Sequence, residues 1–258
     1  MPEMSGYREG VPSWTDLASP DVEASKAFYS ALFGWEANTV PAPEAGGYTL
    51  FTMNGKQVAG VGPIMTEGQP SVWMTYVNVA DADGIAKRVA DAGGDVLMAP
   101  MDVLDQGRLA VFADPTGAVI GVWQPAAHTG AQLVNEPVSY CWSELATRDV
   151  DGAKAFYSAV FGWDSATGTD GPMAYTEFKV DGDSIAGMFQ MAGMMPDDVP
   201  PHWGVYFAVA DCDATVDAAS GLGASVAVPA MDVPIGRFAA LTDPHGAFFR
   251  VIKLASES

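Results

Sequence analysis

Residues 14–35 read WTDLASPDVEASKAFYSALFGW, and residues 142–163 read WSELATRDVDGAKAFYSAVFGW. Fourteen of these twenty-two aligned positions are identical, without a gap. The offset of 128 residues is close to half of the 258-residue chain. A repeat of this length at half the chain indicates the tandem duplication of one domain. Each residue of one copy can therefore be compared with its counterpart in the other copy.

The bulk composition is typical of a globular protein with two domains. Hydrophobic residues make up 49% of the chain and charged residues 17%. The formal net charge is −20 at pH 7, which repels phosphate backbones and argues against nucleic-acid binding. This acidity either favours a cationic ligand or merely keeps the protein in solution.

The cellular compartment is predicted from features that are missing from the sequence. Cys141 and Cys212 do not have the spacing of a disulfide framework. The N-terminal residues lack the apolar segment of a signal peptide, and no apolar run reaches the roughly 18–20 residues that cross a bilayer. We therefore expect a reduced, cytoplasmic protein without membrane association.

Each half is predicted to contain two units of one strand, one helix and further strands. The first unit has a strand over 12–18 and a helix that starts at Ser19-Pro20, with serine as the N-cap, and ends at Gly34. Two or three strands follow, and Asn54-Gly55 predicts a hairpin between two of them. The same order restarts at Val72 and twice more in the second half, which gives four βαβββ units.

The domain boundaries are predicted from the sequence between the two halves. The stretch 124–137 has no hydrophobic periodicity and contains two prolines and a glycine, as linkers often do. We assign the first domain to residues 1–127, the linker to 128–136 and the second domain to 137–258.

Two motifs occur in both halves at matching positions. The helix ends in F-Y-x-x-x-F-G-W at 28–35 and 156–163, and a D-P-x-G turn follows at 114–117 and 243–246. A βαβββ unit with these motifs resembles the vicinal oxygen chelate superfamily, which includes glyoxalase I, extradiol dioxygenases and bleomycin-type resistance proteins. The resemblance covers nearly the whole chain. It implies an α+β fold with a tandem duplicated domain, in which two units form a cup-shaped mixed sheet with the helices outside. We interpret most motif residues as structural.

The resemblance also implies a divalent metal in the cup, held by His, Gln or Glu side chains on the first and last strands of the units. Counting from the motifs, the six expected ligand positions hold Trp14, Met74, Gly121, Trp142, Gly204 and Arg250. Indole, thioether and guanidinium groups do not bind such metals. We therefore expect neither a metal nor another cofactor.

Two carboxylates lie near these positions. Asp16 and Glu144 follow the two tryptophans by two residues and share their strand face. They could bind a metal in principle, but no histidine lies nearby in the sequence. The three histidines, His128, His202 and His245, have no counterparts in the other copy.

Strand alternation predicts which side chains face into each cup. Aromatic walls with one carboxylate per cup are typical of a pocket for a flat or bulky apolar molecule with a polar or cationic group. The alternative is that these aromatic side chains simply fill the cup as core. The candidate ligand-binding residues are Trp14, Asp16, Met74, Tyr76, Arg108, Trp123, Trp142, Glu144, Tyr206, Arg237, Phe248 and Arg250.

Two further features allow two interpretations each. Arg108 and Arg237 follow matched loops, where they either contact a ligand carbonyl or form structural pairs with nearby acids. The methionine-rich segment 189–203 is either an adaptable lid or a plain connecting loop.

Three functional hypotheses follow. The first is a metal-independent protein that binds a hydrophobic or aromatic, antibiotic-like molecule and sequesters or handles it. The second is a metal-dependent glyoxalase-like lyase, dioxygenase or hydroxylase-like enzyme with an atypical site around Asp16, Glu144 or His245, although the sequence assigns no catalytic residue. The third is a structural or interaction role with self-filled cups. We expect a small aromatic or hydrophobic molecule as the partner, no nucleic acid, no membrane, and a monomer or homodimer.

Overall fold

The computed structural model describes residues 3–66, 68–168 and 174–255. The first half consists of β1 (Pro12–Ser19), α1 (Val22–Phe33), β2 (Glu36–Thr39), β3 (Thr49–Met53), β4 (Lys56–Pro63), β5 (Val72–Asn78), α2 (Ala82–Asp91), β6 (Asp95–Val103), β7 (Gly107–Ala113) and β8 (Val119–Pro125). The second half consists of β9 (Tyr140–Thr147), α3 (Val150–Phe161), β10 (Asp164–Gly168), β11 (Tyr175–Val180), β12 (Asp183–Gln190), β13 (His202–Ala208), α4 (Cys212–Gly221), β14 (Ser225–Val233), β15 (Gly236–Thr242) and β16 (Phe248–Leu254). The prediction of four βαβββ units in an α+β fold is confirmed.

Each half forms its own eight-stranded mixed sheet. The strand order in the first is β2-β3-β4-β1-β5-β8-β7-β6, and the second repeats it as β10-β11-β12-β9-β13-β16-β15-β14. The two units of a half join through their first strands, which pair antiparallel as β1 with β5 and β9 with β13. The sequence left open whether units pair within or across halves, and the sheets pair them within each half. The predicted linker, 128–136, lies between the end of β8 and the start of β9.

The first helix begins later than Ser19-Pro20 predicts. The N-cap is Asp21, whose carboxylate accepts a hydrogen bond from the Ala24 amide at 3.0 Å. The Ser19 hydroxyl instead accepts from the Asp21 amide and pairs with Ser25. The prediction of a serine cap was wrong because a carboxylate two residues further on satisfies the free amide of the first turn.

The predicted helix ends and hairpins are confirmed by backbone geometry. Gly34 and Gly162 end α1 and α3 with φ angles of 72° and 73°. Asn54-Gly55 joins β3 to β4 with positive φ at both residues, which is the geometry that a tight two-residue hairpin requires. Asp181-Gly182 does the same between β11 and β12.

The helices lie on one face of each sheet. In the first half, Tyr29 of α1 packs against Trp73 of β5, with ring centroids 5.1 Å apart. Trp73 is paired with Leu17, so the neighbouring positions Asp16 and Met74 point to the opposite face. This opposite face is the one that the sequence predicts to form the cup.

The helix-bearing faces of the two halves pack against each other. One hydrophobic core combines the first unit with the fourth and also includes Trp73, Tyr76 and Trp123 of the second unit. In this core the ring of Phe207 lies 5.3 Å from that of Phe33 and 5.4 Å from that of Trp35. A second core combines the second unit with the third, including Ile85 and Trp163. Between the central strands, the hydroxyls of Thr75 and Ser143 are 2.7 Å apart. Sheets are therefore formed within halves, whereas cores are shared across them.

The repeated motifs connect the two halves symmetrically. The Tyr29 hydroxyl donates to Asp243 of the second D-P-x-G turn at 3.0 Å, and the Tyr157 hydroxyl donates to Asp114 of the first turn at 3.0 Å. Each tyrosine also accepts from an indole, Trp73 for Tyr29 and Trp203 for Tyr157. These contacts are structural, as we interpreted the motifs from the sequence.

Candidate functional site: two tyrosine-bound carboxylates in aromatic cups

The first cup is defined here as the cluster of Trp14, Asp16, Tyr48 and Tyr76 on the helix-free face of the first sheet. The Trp14 indole donates to the Tyr48 hydroxyl at 3.1 Å, and this hydroxyl donates to the Asp16 carboxylate at 2.9 Å. Tyr76 lies opposite Trp14 on β5 and is a second hydrogen-bonding partner of Asp16. The indole and both phenols therefore surround one carboxylate.

The electrostatics of the first cup are those of a carboxylate removed from water. Desolvation raises the pKa of Asp16 to about 6, while the hydrogen bonds from Tyr48 and Tyr76 oppose this change. Burial and the nearby Asp16 charge in turn hold the pKa of both tyrosines well above the usual range. The phenols thus remain protonated donors at neutral pH.

The second cup is defined as Trp142, Glu144, Tyr175, Tyr206 and Arg250. The Trp142 indole donates to the Tyr175 hydroxyl at 3.0 Å, and Tyr175 donates to the Glu144 carboxylate at 2.9 Å. Tyr206 donates to the other carboxylate oxygen at 2.8 Å. The two copies therefore keep the same indole–phenol–carboxylate arrangement with aspartate in one and glutamate in the other.

Glycines let the phenol rings lie flat on the strands. An added Cβ at Gly60 would overlap the hydroxyl of Tyr48, and one at Gly187 would overlap that of Tyr175. At Gly121 an added Cβ would overlap the ring of Tyr76. Gly121 is one of the six predicted metal-ligand positions, so its lack of a side chain has a packing reason in this chain.

Tyr48 and Tyr175 are functional candidates that the sequence analysis missed. Tyr48 follows a loop over residues 40–47, and Tyr175 stands at the start of β11, so the strand periodicity used for the other candidates did not include them. A signal was nevertheless present, since the sequence Y-T-x-F occurs at 48–51 and again at 175–178. Comparison of the two copies beyond the main repeat would have identified the pair.

His128 is a third residue that the sequence analysis did not place in the site. Its ring centroid lies 4.4 Å from that of Trp14 and 5.5 Å from that of Trp123, in edge-to-face geometry. Its Nδ1 is 2.9 Å from the side-chain oxygen of Gln57. Burial lowers the pKa of His128 to about 4, so the imidazole is neutral and extends the aromatic wall of the first cup.

Arg250 distinguishes the second cup from the first. Its side chain is almost fully buried, and its guanidinium carbon lies 5.0 Å from the ring centroid of Tyr206 and 4.9 Å from that of Phe248. The nearest approach to Glu144 is 3.8 Å, from Nη2 to Oε1. At the matching position the first cup has Gly121 and therefore no cation.

Arg108 and Arg237 do not lie in the cups, although both are among the candidate ligand-binding residues. Arg108 donates two hydrogen bonds to Asp83 and one to Asp102, and Arg237 repeats the arrangement with Asp213 and Asp232. Asp83 and Asp213 are at the starts of α2 and α4, so both arginines point to the helix-bearing face. Both arginines therefore form structural pairs with acidic residues, which is the other of the two interpretations given from the sequence.

The remaining candidates lie at the edges of the cups. Met74 of β5 is half-buried and lies opposite Asp16 of β1. Trp123 is buried, and its indole donates to the backbone oxygen of His128. Phe248 is half-buried between Arg250 and His202, and the ring centroids of Phe248 and His202 are 6.1 Å apart.

The methionine-rich segment lies against the second cup. Met191 is fully buried with Phe189 and Ala146, and Tyr175 and Met195 pack on the same cluster. The segment is also held by Arg148, which donates to the backbone oxygens of Pro196 and Val199. Because Ala146 follows Glu144 on the same strand face, the segment borders one end of this cup.

Comparison with known proteins identifies the family. The sequence model of the Glyoxalase/Bleomycin resistance protein/Dioxygenase superfamily matches residues 12–122 and 126–251. The chain belongs to this superfamily. The recognition of the family from the two repeated motifs is confirmed.

Two curated relatives match over nearly their full lengths. The chain is 43% identical over 263 residues to "Putative glyoxylase CFP32" of Mycobacterium tuberculosis (strain CDC 1551 / Oshkosh), covering 100% of both chains. It is 45% identical over 266 residues to "Anthracycline biosynthesis protein DauV" of Streptomyces sp. (strain C5), covering 97% of this chain and 96% of the relative.

Solved structures of superfamily members share the fold at much lower identity. The Mn(II)-bound glyoxalase from Novosphingobium aromaticivorans aligns with a TM-score of 0.63 and 16% identity, covering 97% of this chain and 86% of that one. The 2,3-dioxygenase LapB from Pseudomonas sp. KL28 aligns with a TM-score of 0.64 and 14% identity, covering 98% and 95%. At these identities the likeness concerns the fold alone.

The residues at the superfamily's metal positions do not fit a divalent metal. Those facing the cups are two tryptophans, a methionine, two glycines and an arginine, none of which supplies a suitable donor. Asp16 and Glu144 already accept hydrogen bonds from tyrosines. Within residues 3–66, 68–168 and 174–255, no three His, Cys, Asp or Glu side chains form a group that could hold a metal.

His245, which the second hypothesis includes, is far from this chemistry. It lies in the second D-P-x-G turn and lines a shallow depression of about 320 Å³ with Phe28, Leu222 and Pro244 on the helix-bearing side.

In the part of the chain that the structure describes, no helix is long and apolar enough to cross a membrane.

Proposed function

We propose that this protein binds a flat, hydrophobic aromatic molecule in its cups without using a metal, and that it sequesters the molecule or passes it on. The observation that carries this proposal is the matched replacement at the metal positions. Both copies have tryptophan on the first strand and a tyrosine-bound carboxylate two residues later. A fold that loses its metal ligands in both copies but keeps ordered aromatic walls is suited to binding.

The geometry of the cups supports an aromatic ligand. Indole and phenol rings favour stacked or edge-to-face contact with another ring. Trp142, Tyr175 and Phe248 are half-buried, so their rings present some surface to a ligand. Each carboxylate accepts hydrogen bonds from tyrosine, and its negative charge favours a cationic group on a molecule bound beside these rings.

The relatives support a more specific ligand class. DauV is named for anthracycline biosynthesis, and anthracyclines are planar fused-ring compounds with polar substituents. We extend this to the present chain and propose a polycyclic aromatic metabolite of that type as the ligand. The proposal also includes a cytoplasmic location, no nucleic-acid or membrane partner, and a monomer or homodimer.

An enzymatic role is the second candidate, favoured by the 43% identity to a protein named as a glyoxylase. A metal-dependent version would require ligands that the cups do not have. A self-filled, structural cup is the third candidate, favoured by the burial of Trp14, Tyr76 and Trp123 in the hydrophobic core, and it predicts that no aromatic ligand binds.

Calorimetric titration with an anthracycline tests the proposal. We expect saturable binding that weakens at least about tenfold, equivalent to about 1.4 kcal/mol, in Trp14→Ala or Trp142→Ala, according to which cup is occupied. Arg237→Met, on the helix-bearing face, serves as the matched control and keeps the wild-type affinity. Absence of binding by the folded wild-type protein would contradict the proposal.

A further inference from the structure

The two cups differ by a paired exchange of side chains. The first cup has Met74 on β5 and Gly121 on β8. At the matching positions the second cup has Gly204 on β13 and Arg250 on β16. An added Cβ at Gly204 would overlap the Nη1 atom of Arg250. The missing side chain on β13 therefore provides the space into which the guanidinium extends.

The guanidinium of Arg250 is buried without adequate partners. The residue is 3% exposed, and its Nη1 has no hydrogen-bond acceptor among the described residues. Nη2 is 3.8 Å from Glu144, which is beyond hydrogen-bonding distance. The oxygens of Glu144 instead accept from Tyr175 and Tyr206.

Such an arrangement is unfavourable for folding alone. A buried cation needs both a counter-charge and hydrogen-bond acceptors to offset its loss of hydration. Here Tyr206 and Phe248 contact the flat faces of the guanidinium, which supplies cation–π attraction but no acceptor. The Nη1 group therefore lacks an acceptor, which the oxygen of a ligand that reaches this position would supply.

The surroundings indicate which acceptor fits. A full negative charge on the ligand would be repelled by Glu144 and by the net charge of −20. A neutral carbonyl oxygen accepts from a guanidinium without this repulsion. The half-buried ring of Phe248 lies 4.9 Å from the guanidinium carbon, and the half-buried Trp142 lies on the other side of Tyr206 from Arg250. Both rings can contact the aromatic system that carries the carbonyl.

We infer that the second cup selects an aromatic ketone or quinone, whose carbonyl oxygen accepts hydrogen bonds from Arg250, and that the first cup lacks this selectivity. This inference rests on the proposed function, since it requires that the cups bind aromatic molecules. It makes the two copies of the repeat functionally different, with one carbonyl-selective site in each chain.

Fluorenone and fluorene form a suitable pair of probes, because they are flat molecules of similar shape and differ by a carbonyl in place of a methylene group. We expect the full wild-type chain to bind fluorenone at least about tenfold more tightly than fluorene at one site in calorimetric titration. In Arg250→Met this preference disappears, while Arg237→Met retains it. Arg250→Lys, which keeps the charge but not the planar fork, retains only part of the preference.

Thermal unfolding separates selectivity from a structural role. Because Arg250→Met leaves the buried Glu144 without the cation 3.8 Å away, we expect its melting temperature to fall, and the two probes are compared at a temperature at which the variant is fully folded. Equal affinity for both probes in the wild type, or an unchanged preference in Arg250→Met, overturns the inference while leaving aromatic binding intact. Failure of both probes to bind overturns the inference and the proposed function together.

Discussion

At the scale of single residues, the central feature is a carboxylate held by two phenols in each cup. Strand alternation predicted that Asp16 and Glu144 face inward with the tryptophans, and the structure brings each of them next to an indole and two tyrosines. Strand alternation could not predict Tyr48, because the preceding residues 40–47 form a loop and have no strand periodicity. It also could not predict that His128 folds back onto Trp14.

The raised pKa of Asp16 gives a prediction for stability against pH. Since the folded-state pKa is about 6 and the unfolded value is 3.8, the folded protein binds the proton more tightly. This contribution to stability is therefore present below about pH 4 and is lost as pH rises to about 6. Asp16→Asn should remove this dependence and raise the unfolding free energy at pH 7 by about 1–3 kcal/mol relative to wild type.

Urea unfolding between pH 4 and pH 8 measures this effect. Asp217→Asn is the matched control, because it removes one charge from the exposed side of α4. The difference between Asp16→Asn and the wild type should grow with pH, whereas that of the control should stay nearly constant. A difference for Asp16→Asn that is independent of pH would contradict the burial argument.

At the scale of elements, the repeated motif helices cross-connect the halves through their tyrosines. Hydrophobic periodicity and glycine stops predicted the helices, and the F-Y and D-P-x-G residues were interpreted as structural because they are signatures of the fold. The sequence could not show that Tyr29 donates to a turn 214 residues away, because local patterns do not specify which surface a helix face contacts. The cap at Asp21 was missed for a local reason, since serine and aspartate are both good caps.

Removal of either tyrosine hydroxyl leaves a buried aspartate oxygen and an indole N–H with one partner fewer. We expect Tyr29→Phe and Tyr157→Phe to lower the unfolding free energy by about 1–3 kcal/mol each, measured by urea denaturation. The two variants serve as controls for each other, because their contacts are symmetric. A neutral effect in one of them would show that the two cross-connections are not equivalent.

At the scale of the whole molecule, the duplication predicted four units. It could not reveal which units share a sheet and which share a hydrophobic core. Units one and two share a sheet, but units one and four share a hydrophobic core, as do units two and three. Sequence identity between copies specifies that their folds are alike and says nothing about which copy covers which apolar face. The fold was therefore predictable to the level of the unit, whereas the pairing of units within each half and the sharing of cores across halves were not.

The shared cores predict that neither half is stable alone. Expressed separately, residues 1–127 and 128–258 would each expose aromatic side chains such as Trp35 or Trp163 that are buried in the full chain. We expect each fragment to lack cooperative thermal unfolding by circular dichroism, and an equimolar mixture to regain it. Cooperative unfolding of an isolated, monomeric half would contradict this account of the core.

The most direct test of the metal-free binding proposal is calorimetric titration of the full chain with an anthracycline, after dialysis against a chelator and elemental analysis. The account predicts that protein without Mn, Fe, Ni or Zn binds the ligand, and that adding any of these metals leaves the affinity unchanged. Binding that appears only after a metal is restored, at one equivalent per cup, would contradict it.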